Sequence, residues 1–158
     1  MAFRVRRVIT GHDATGRAVV RIDEVAQHTF VGRPGATACN VWTTEGFPVD
    51  NDGGEDTGPR KVGMTLPNGT IFRMIEFAPG VAARNHRTSS IDYVAVVSGE
   101  IDMELDGSVV HLKAGDVMVQ RGTIHNWVNR GTEPCVLSVV LIDAKPVEAG
   151  GRVLEAAG

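Results

Sequence analysis

Glycine punctuates the second half of the chain at Gly80, Gly99, Gly107, Gly115, Gly122 and Gly131, and the steps between the last five are eight, eight, seven and nine positions. Turn signals at that interval mark short strands folded back on one another, the pattern of an all-β sandwich or barrel. β-Branched and apolar runs fill the intervals: Val94-Ala95-Val96-Val97, Val109-Val110-His111-Leu112 and Val117-Met118-Val119. Asp106-Gly107 is a tight-hairpin dipeptide between residues 101–105 and 108–112. The longer interval from Gly80 to Gly99 holds its own polar turn, Arg87-Thr88-Ser89-Ser90, so two strands fit there as well.

The first half is less regular. Its candidate strands are 18–22, 37–42 and 70–77, separated by Gly32-Arg33-Pro34-Gly35 and by an acidic, turn-rich stretch over 47–61. That stretch reads as a surface loop. A loop longer than about 12 residues in a compact domain is often functional, so a lid is the second reading. After Lys145 the chain is small and polar, with at most a short helix around 153–157. There is no internal repeat, no heptad and no long amphipathic helix. The expected organisation is one all-β domain: N-terminal strands and the acidic loop over 1–69, a barrel over 70–145 and a tail over 146–158.

Composition fits that picture. A chain of 158 residues is the size of one domain, and 42% hydrophobic residues suffice for a core. Sixteen Lys and Arg against 19 Asp and Glu give a net charge of -3, which argues against the concentrated basic face of a duplex-gripping protein. No apolar stretch approaches the ~20 residues of a membrane helix. The longest, Leu137-Ser138-Val139-Val140-Leu141-Ile142, is strand-sized. The N-terminus, Met1 to Thr10, carries Arg4, Arg6 and Arg7 without the apolar segment of a secretory signal, so the cytoplasm is the expected location. Cys39 and Cys135 lie 96 positions apart in strand-like runs and read as buried small hydrophobes rather than as a disulfide. No Ser-centred nucleophile motif, phosphate-cradling glycine loop or paired-cysteine zinc motif is present, and Gly32-Arg33-Pro34-Gly35 reads as a turn alone. The expected partner is a small-molecule substrate, with neither nucleic acid nor membrane.

Of the five histidines, His12 lies in a turn-like stretch and His28 precedes Phe30, and both read as ordinary surface or partly buried residues. His111 adjoins Leu112, and strand neighbours face opposite ways, so an inward Leu112 turns His111 outward. His86 and His125 differ through their surroundings. From Gly80 there are five residues to His86, one more to Thr88, three to Asp92 and six to Gly99. From Gly115 there are five residues to Arg121-Gly122, two more to His125 and three to Asn129. These spacings resemble the two signature motifs of the cupin superfamily, Gly-x5-His-x-His-x3,4-Glu-x6-Gly and Gly-x5-Pro-x-Gly-x2-His-x3-Asn, over residues 70–143. The fold this resemblance implies is an antiparallel jelly-roll β-barrel, a double-stranded β-helix, in a single domain.

Alternation agrees with the resemblance. It places His86 and Thr88 on one strand face, with Asp92 opening the next strand, and puts His125, Trp127 and Asn129 on another face. A closed barrel lets such inward groups converge. The resemblance implies a divalent metal held by three His and one Glu. This chain departs from that set: Thr88 stands for the second His, Asp92 for the Glu, and Arg121-Gly122 for Pro-x-Gly with one residue fewer. His86, Asp92 and His125 remain as the expected metal ligands, and the alternative is a barrel whose metal site has decayed to a buried His–Asp pair. Two imidazoles and a carboxylate match the facial triad of open non-haem iron sites and are compatible with zinc, manganese or nickel. Asp is one methylene shorter than Glu, so two roles stand side by side for Asp92: metal ligand, or hydrogen-bond acceptor and base.

Around these, Trp127 is expected to border the cavity. Arg73 interrupts the apolar strand 70–77, either clamping a substrate carboxylate or pairing with an acid. Thr88 is expected to leave a coordination position open to substrate, and Asn129 reads as a supporting or turn residue. Asp92 and His125 are the candidate catalytic pair. The resulting expectation is a metal-dependent enzyme on a small oxygenated compound, aromatic or polyketide-like. Lyase or isomerase chemistry stands ahead of a non-haem iron dioxygenase, and the third reading is a non-catalytic small-ligand-binding cupin. The resemblance also implies a homodimer joined through its sheets.

Overall fold

The computed structural model describes residues 3–158, so Met1 and Ala2, which open the basic N-terminal stretch, lie outside it. Regular alternation builds the barrel wall. Along β11 (Cys135–Asp143) the buried side chains are Cys135, Leu137, Val139 and Leu141, and along β6 (Ser90–Ser98) they are Ser90, Asp92, Val94 and Val96. β11 pairs with β5 (Gly69–Phe77) on one side and with β6 on the other. β4 (Ala36–Glu45) and β3 (Thr29–Arg33) extend the sheet beyond β5, and β9 (Val117–Arg121) extends it beyond β6, giving six antiparallel strands. A three-stranded sheet of β10 (Asn126–Val128), β7 (Glu100–Glu104) and β8 (Val109–Lys113) forms the opposing wall. Ile71, Val94, Ile101, Met103, Trp127 and Leu137, drawn from both sheets, share one core. Burying a side chain of this size contributes roughly 1.5–3 kcal/mol, and this shared burial holds the sheets face to face as a jelly roll.

Gly99, Gly107, Gly115 and Gly122 stand at the turns that separate β6, β7, β8, β9 and β10, with φ between 65° and 94°. At Gly99 a Cβ would also lie 2.4 Å from the carbonyl oxygen of Pro134. Conformation and space both require glycine there.

The N-terminal third is a second layer. β1 (Arg6–His12) and β2 (Ala18–Val25) form a separate antiparallel hairpin, and Val5, Ala26, Cys39 and Val41 close a small core beneath it. β4 therefore buries both faces, Ala36 toward the barrel and Cys39 and Val41 toward the hairpin, and its pairing with β5 slips between Asn40 and Trp42. Cys39 and Cys135 are free and fully buried, one in each core. Arg7, buried among these elements, donates to Asp56 Oδ1 at 2.8 Å and to Glu24 Oε1 at 2.7 Å. Thr43 and Thr57 exchange further hydrogen bonds of 2.8–3.2 Å. The acidic stretch over 47–61 is thus strapped to β1 and β4 near its end.

The tail corrects the expected short helix around 153–157. β12 (Val147–Ala149) and β13 (Arg152–Leu154) form a hairpin across Gly150-Gly151, both at positive φ, and Ala157 then pairs its backbone with Arg87. A two-glycine turn between short β-branched segments is a hairpin signal, and it prevails over the weak helical preference of the final residues. Among the described residues no helix is long and apolar enough to cross a membrane.

Candidate functional site

His86 precedes β6 and His125 precedes β10, and the two are joined by a reciprocal pair of backbone hydrogen bonds, 3.0 and 2.9 Å. That pairing brings their rings to 4.3 Å between centroids. Each Nδ1 lies against a carbonyl oxygen two residues back, His86 on Arg84 at 3.0 Å and His125 on Thr123 at 2.9 Å. A carbonyl can only accept, so both Nδ1 atoms carry hydrogen and both Nε2 atoms keep a lone pair. Burial pushes both imidazoles below their ordinary range, His125 down to about 4, with the neighbouring His86, Arg33 and Arg84 charges acting in the same direction. Both rings are therefore neutral near pH 7.

The pair opens on a cavity between the sheets. Trp127 packs edge-on to His125, with centroids 6.0 Å apart, and is stacked on Phe77 at 6.1 Å. Ala36, Ile75, Val94 and Leu137 supply apolar wall. Asp92 reaches the cavity from β6, between Gln120 on β9 and Leu141 on β11. Its Oδ1 accepts the Ser90 hydroxyl at 2.6 Å, but burial dominates and raises its carboxyl to about 6. Arg73 reaches the cavity from β5 and is 3% exposed. An open depression over the β7–β8 turn, lined by Glu104, Asp106 and Asn126, gathers none of these groups.

Four expectations need correction or completion. Among the described residues no three His, Cys, Asp or Glu side chains converge as a donor set, so His86, Asp92 and His125 line one cavity without forming the three-ligand metal site that their spacing suggests. Two facing imidazoles alone do not make up the donor set of a resident divalent ion. Thr88 does not line the cavity. The chain bends after Arg87, whose backbone pairs with Ala157, and the Thr88 hydroxyl meets Ser90 Oγ at 2.7 Å, making a hydroxyl chain from Thr88 through Ser90 to Asp92. Asn129 clamps a turn by donating to the carbonyls of Phe77 and Glu133, both at 2.9 Å. Arg33, read in the sequence as part of a turn alone, ends β3 and lines the cavity, with its guanidinium 5.4 Å from the Phe77 ring centroid. Its only sequence signal is a charged residue at the end of an apolar strand, Phe30-Val31-Gly32. His111 points outward and bonds Asp102 at 2.6 Å.

These features define a jelly-roll barrel with a histidine-bearing interior cavity. The chain belongs to the cupin family: residues 73–142 match the Cupin_2 model, a cupin domain, and several relatives are named cupin-domain-containing oxidoreductases. Over 160 residues it is 36% identical to the cupin-domain-containing oxidoreductase fogC of Aspergillus ruber, covering 96% of this chain and 79% of that protein. Over 162 residues it is 39% identical to phomopsin biosynthesis cluster protein C' of Diaporthe leptostromiformis, covering 94% and 83%. Among solved structures, KdgF from Halomonas sp. is similar in fold, with a TM-score of 0.50 at 19% identity over 72% of this chain and 86% of that one.

Proposed function

We propose that this protein is a small-molecule enzyme that moves a proton on an oxygenated compound with an apolar body, isomerase or lyase chemistry in type. The observation that carries this reading is the pair of imidazoles of His86 and His125, whose tautomers are fixed by their Nδ1 bonds and which line the cavity that Asp92 also lines. A neutral imidazole with a fixed tautomer accepts a hydrogen bond from a substrate hydroxyl or enol. A carboxyl raised to about 6 sits close to working pH, where one group can both take up and release a proton. The Thr88–Ser90 hydroxyls lead from Asp92 toward the chain bend and offer a path for that proton. The apolar wall excludes water and strengthens each of these interactions.

Oxidation is the second reading, and what favours it is that relatives such as the Aspergillus ruber protein are named oxidoreductases. The experiment is incubation with small oxygenated acids in deuterium oxide, following carbon-bound exchange by NMR beside oxygen uptake and metal content. Exchange without oxygen uptake, abolished in Asp92→Asn and His125→Gln, supports proton transfer. Oxygen uptake that depends on an ion lost in His86→Ala supports oxidation and overturns it.

A further inference from the structure

Three arginines line the cavity, Arg33, Arg73 and Arg84, against a single acid, Asp92, in a chain whose net charge is -3. The cavity is thus locally opposite in sign to the molecule. Arg73 is the most deeply placed of the three. Its Nε donates to Asn40 Oδ1 at 2.7 Å, its Nη2 to the Gly63 carbonyl at 2.9 Å and its Nη1 to the Met64 sulfur at 3.4 Å. Every partner is neutral, and a guanidinium has five N–H groups, so donors remain unused. The Phe30 ring lies 5.3 Å from the Arg73 guanidinium. Arg33 adds a second deficit: Nε donates to the Ala82 carbonyl, but Nη2 is buried with no partner.

A buried cation without a counterion is costly unless something else meets it. Arg33 and Arg73 each rest on an aromatic face and neutral oxygens, which hold a cation in place without neutralising it. Their positions along β5 differ: Arg73 lies on it, whereas Arg33 sits over Phe77, four residues further along the strand. At about 3.3 Å per residue that separation is roughly 13 Å before the side chains reach inward. The His86–His125 pair lies at the Phe77 and Trp127 end.

We propose that the cavity takes a carboxylic acid on a ring-sized apolar body, its carboxylate anchored by Arg73 at the Met64 end and its oxygenated end turned toward His86 and His125, beside Arg33. This rests on the proton-transfer site proposed above and names its substrate class. Arg73 is then the residue that selects an acid over its neutral analogue. The pairing replaces a neutral acceptor by a carboxylate in a desolvated pocket, which corresponds to a preference of about 10- to 100-fold.

The test is binding, read without turnover. Benzoate and salicylate are compared with benzamide and salicylamide by calorimetry and by melting-temperature shift. Tighter binding of each acid than of its amide, lost in Arg73→Met and weakened in Arg33→Gln, is the expected result. In ligand-free protein Arg73→Met is expected to hold or raise the melting temperature, because it removes an uncompensated buried charge. If Arg73→Met does not fold, Arg73→Lys keeps the charge without the fork and is expected to narrow the preference. Equal affinity for acid and amide, no binding of either acid, or a preference that survives the Arg73 variants overturns the proposal. Acid preference without exchange chemistry would remove the proton-transfer reading while leaving the anion site standing, so the two fail separately.

Discussion

Burial moves Asp92 and His125 in opposite directions, and the consequences for stability oppose each other. The Asp92 carboxyl rises from 3.8 to about 6, mainly through desolvation. Between those values the folded protein keeps a proton that the unfolded chain has shed, so this group's contribution worsens as pH rises through 4 to 6 and is a net cost above. His125 falls from 6.5 to about 4, again mainly through desolvation. Here the unfolded chain takes a proton that the folded protein refuses, so its contribution worsens as pH falls from 6.5 toward 4. In the intact protein the two slopes partly cancel. Asp92→Asn is therefore expected to be more stable than the parent at pH 7.5, by on the order of 1–3 kcal/mol, with the gap closing toward pH 4. His125→Gln is expected to lose less stability on acidification than the parent. Thermal denaturation across pH 4–8 reads both, and a constant Asp92→Asn gap across that range would sink the argument.

At this scale the sequence made five cavity residues readable, His86, Asp92, His125, Trp127 and Arg73, because strand alternation and motif spacing predict which side chains face inward. It misplaced Thr88, since alternation counts only along an unbroken strand and the chain bends after Arg87. It overlooked Arg33 because a glycine and a proline beside a charge look like a surface turn.

Among the elements, the glycine rhythm carried most of the fold. Each turn between β6 and β10 has a glycine in left-handed backbone, so the spacing measured strand length directly. The first half was less legible for a physical reason: β4 is buried on both faces, Cys39 toward one core and Ala36 toward the other, and a doubly buried strand loses polar alternation. The three-residue strands β12 and β13 are too short to show a period at all. The turn glycines also differ in what they require. Gly107, at φ 74°, has no atom within 4 Å of the point where a methyl group would stand, so alanine there meets backbone strain alone, roughly 1 kcal/mol. Gly99, at φ 76°, adds the contacts with Pro134 O at 2.4 Å and Cys135 Cα at 2.9 Å, which anchor β11 and can yield only by moving backbone. Gly99→Ala is expected to cost roughly 2–4 kcal/mol in urea denaturation, clearly more than Gly107→Ala. Equal losses would mean that the β6–β7 turn is free to shift away from Pro134.

Across the whole molecule the two cores differ in how they are tied. The barrel core is enclosed by two sheets and crossed by the central strand β11, whereas the smaller core is covered by the β1–β2 hairpin, which pairs with no strand of the main sheet. Each core contains one fully buried cysteine, Cys135 in the barrel and Cys39 beneath the hairpin. Burial raises both thiols, Cys135 to about 11, so labelling at neutral pH requires an opening that wets the sulfur. Regions closed by fewer contacts open locally, below the free energy of global unfolding. Cys39 is therefore expected to react with a thiol reagent through a local opening in which β1–β2 lifts, at a rate nearly independent of low urea concentration. Cys135 is expected to react only through global unfolding, with a rate that climbs steeply with urea. The single-thiol variants Cys135→Ala and Cys39→Ala isolate the two signals. Arg7→Met, which cuts the ties from β1 to Asp56 and Glu24, is expected to speed labelling of Cys39 without changing that of Cys135 by a comparable factor. Identical urea dependence at both cysteines would instead show that hairpin and barrel unfold as one cooperative unit.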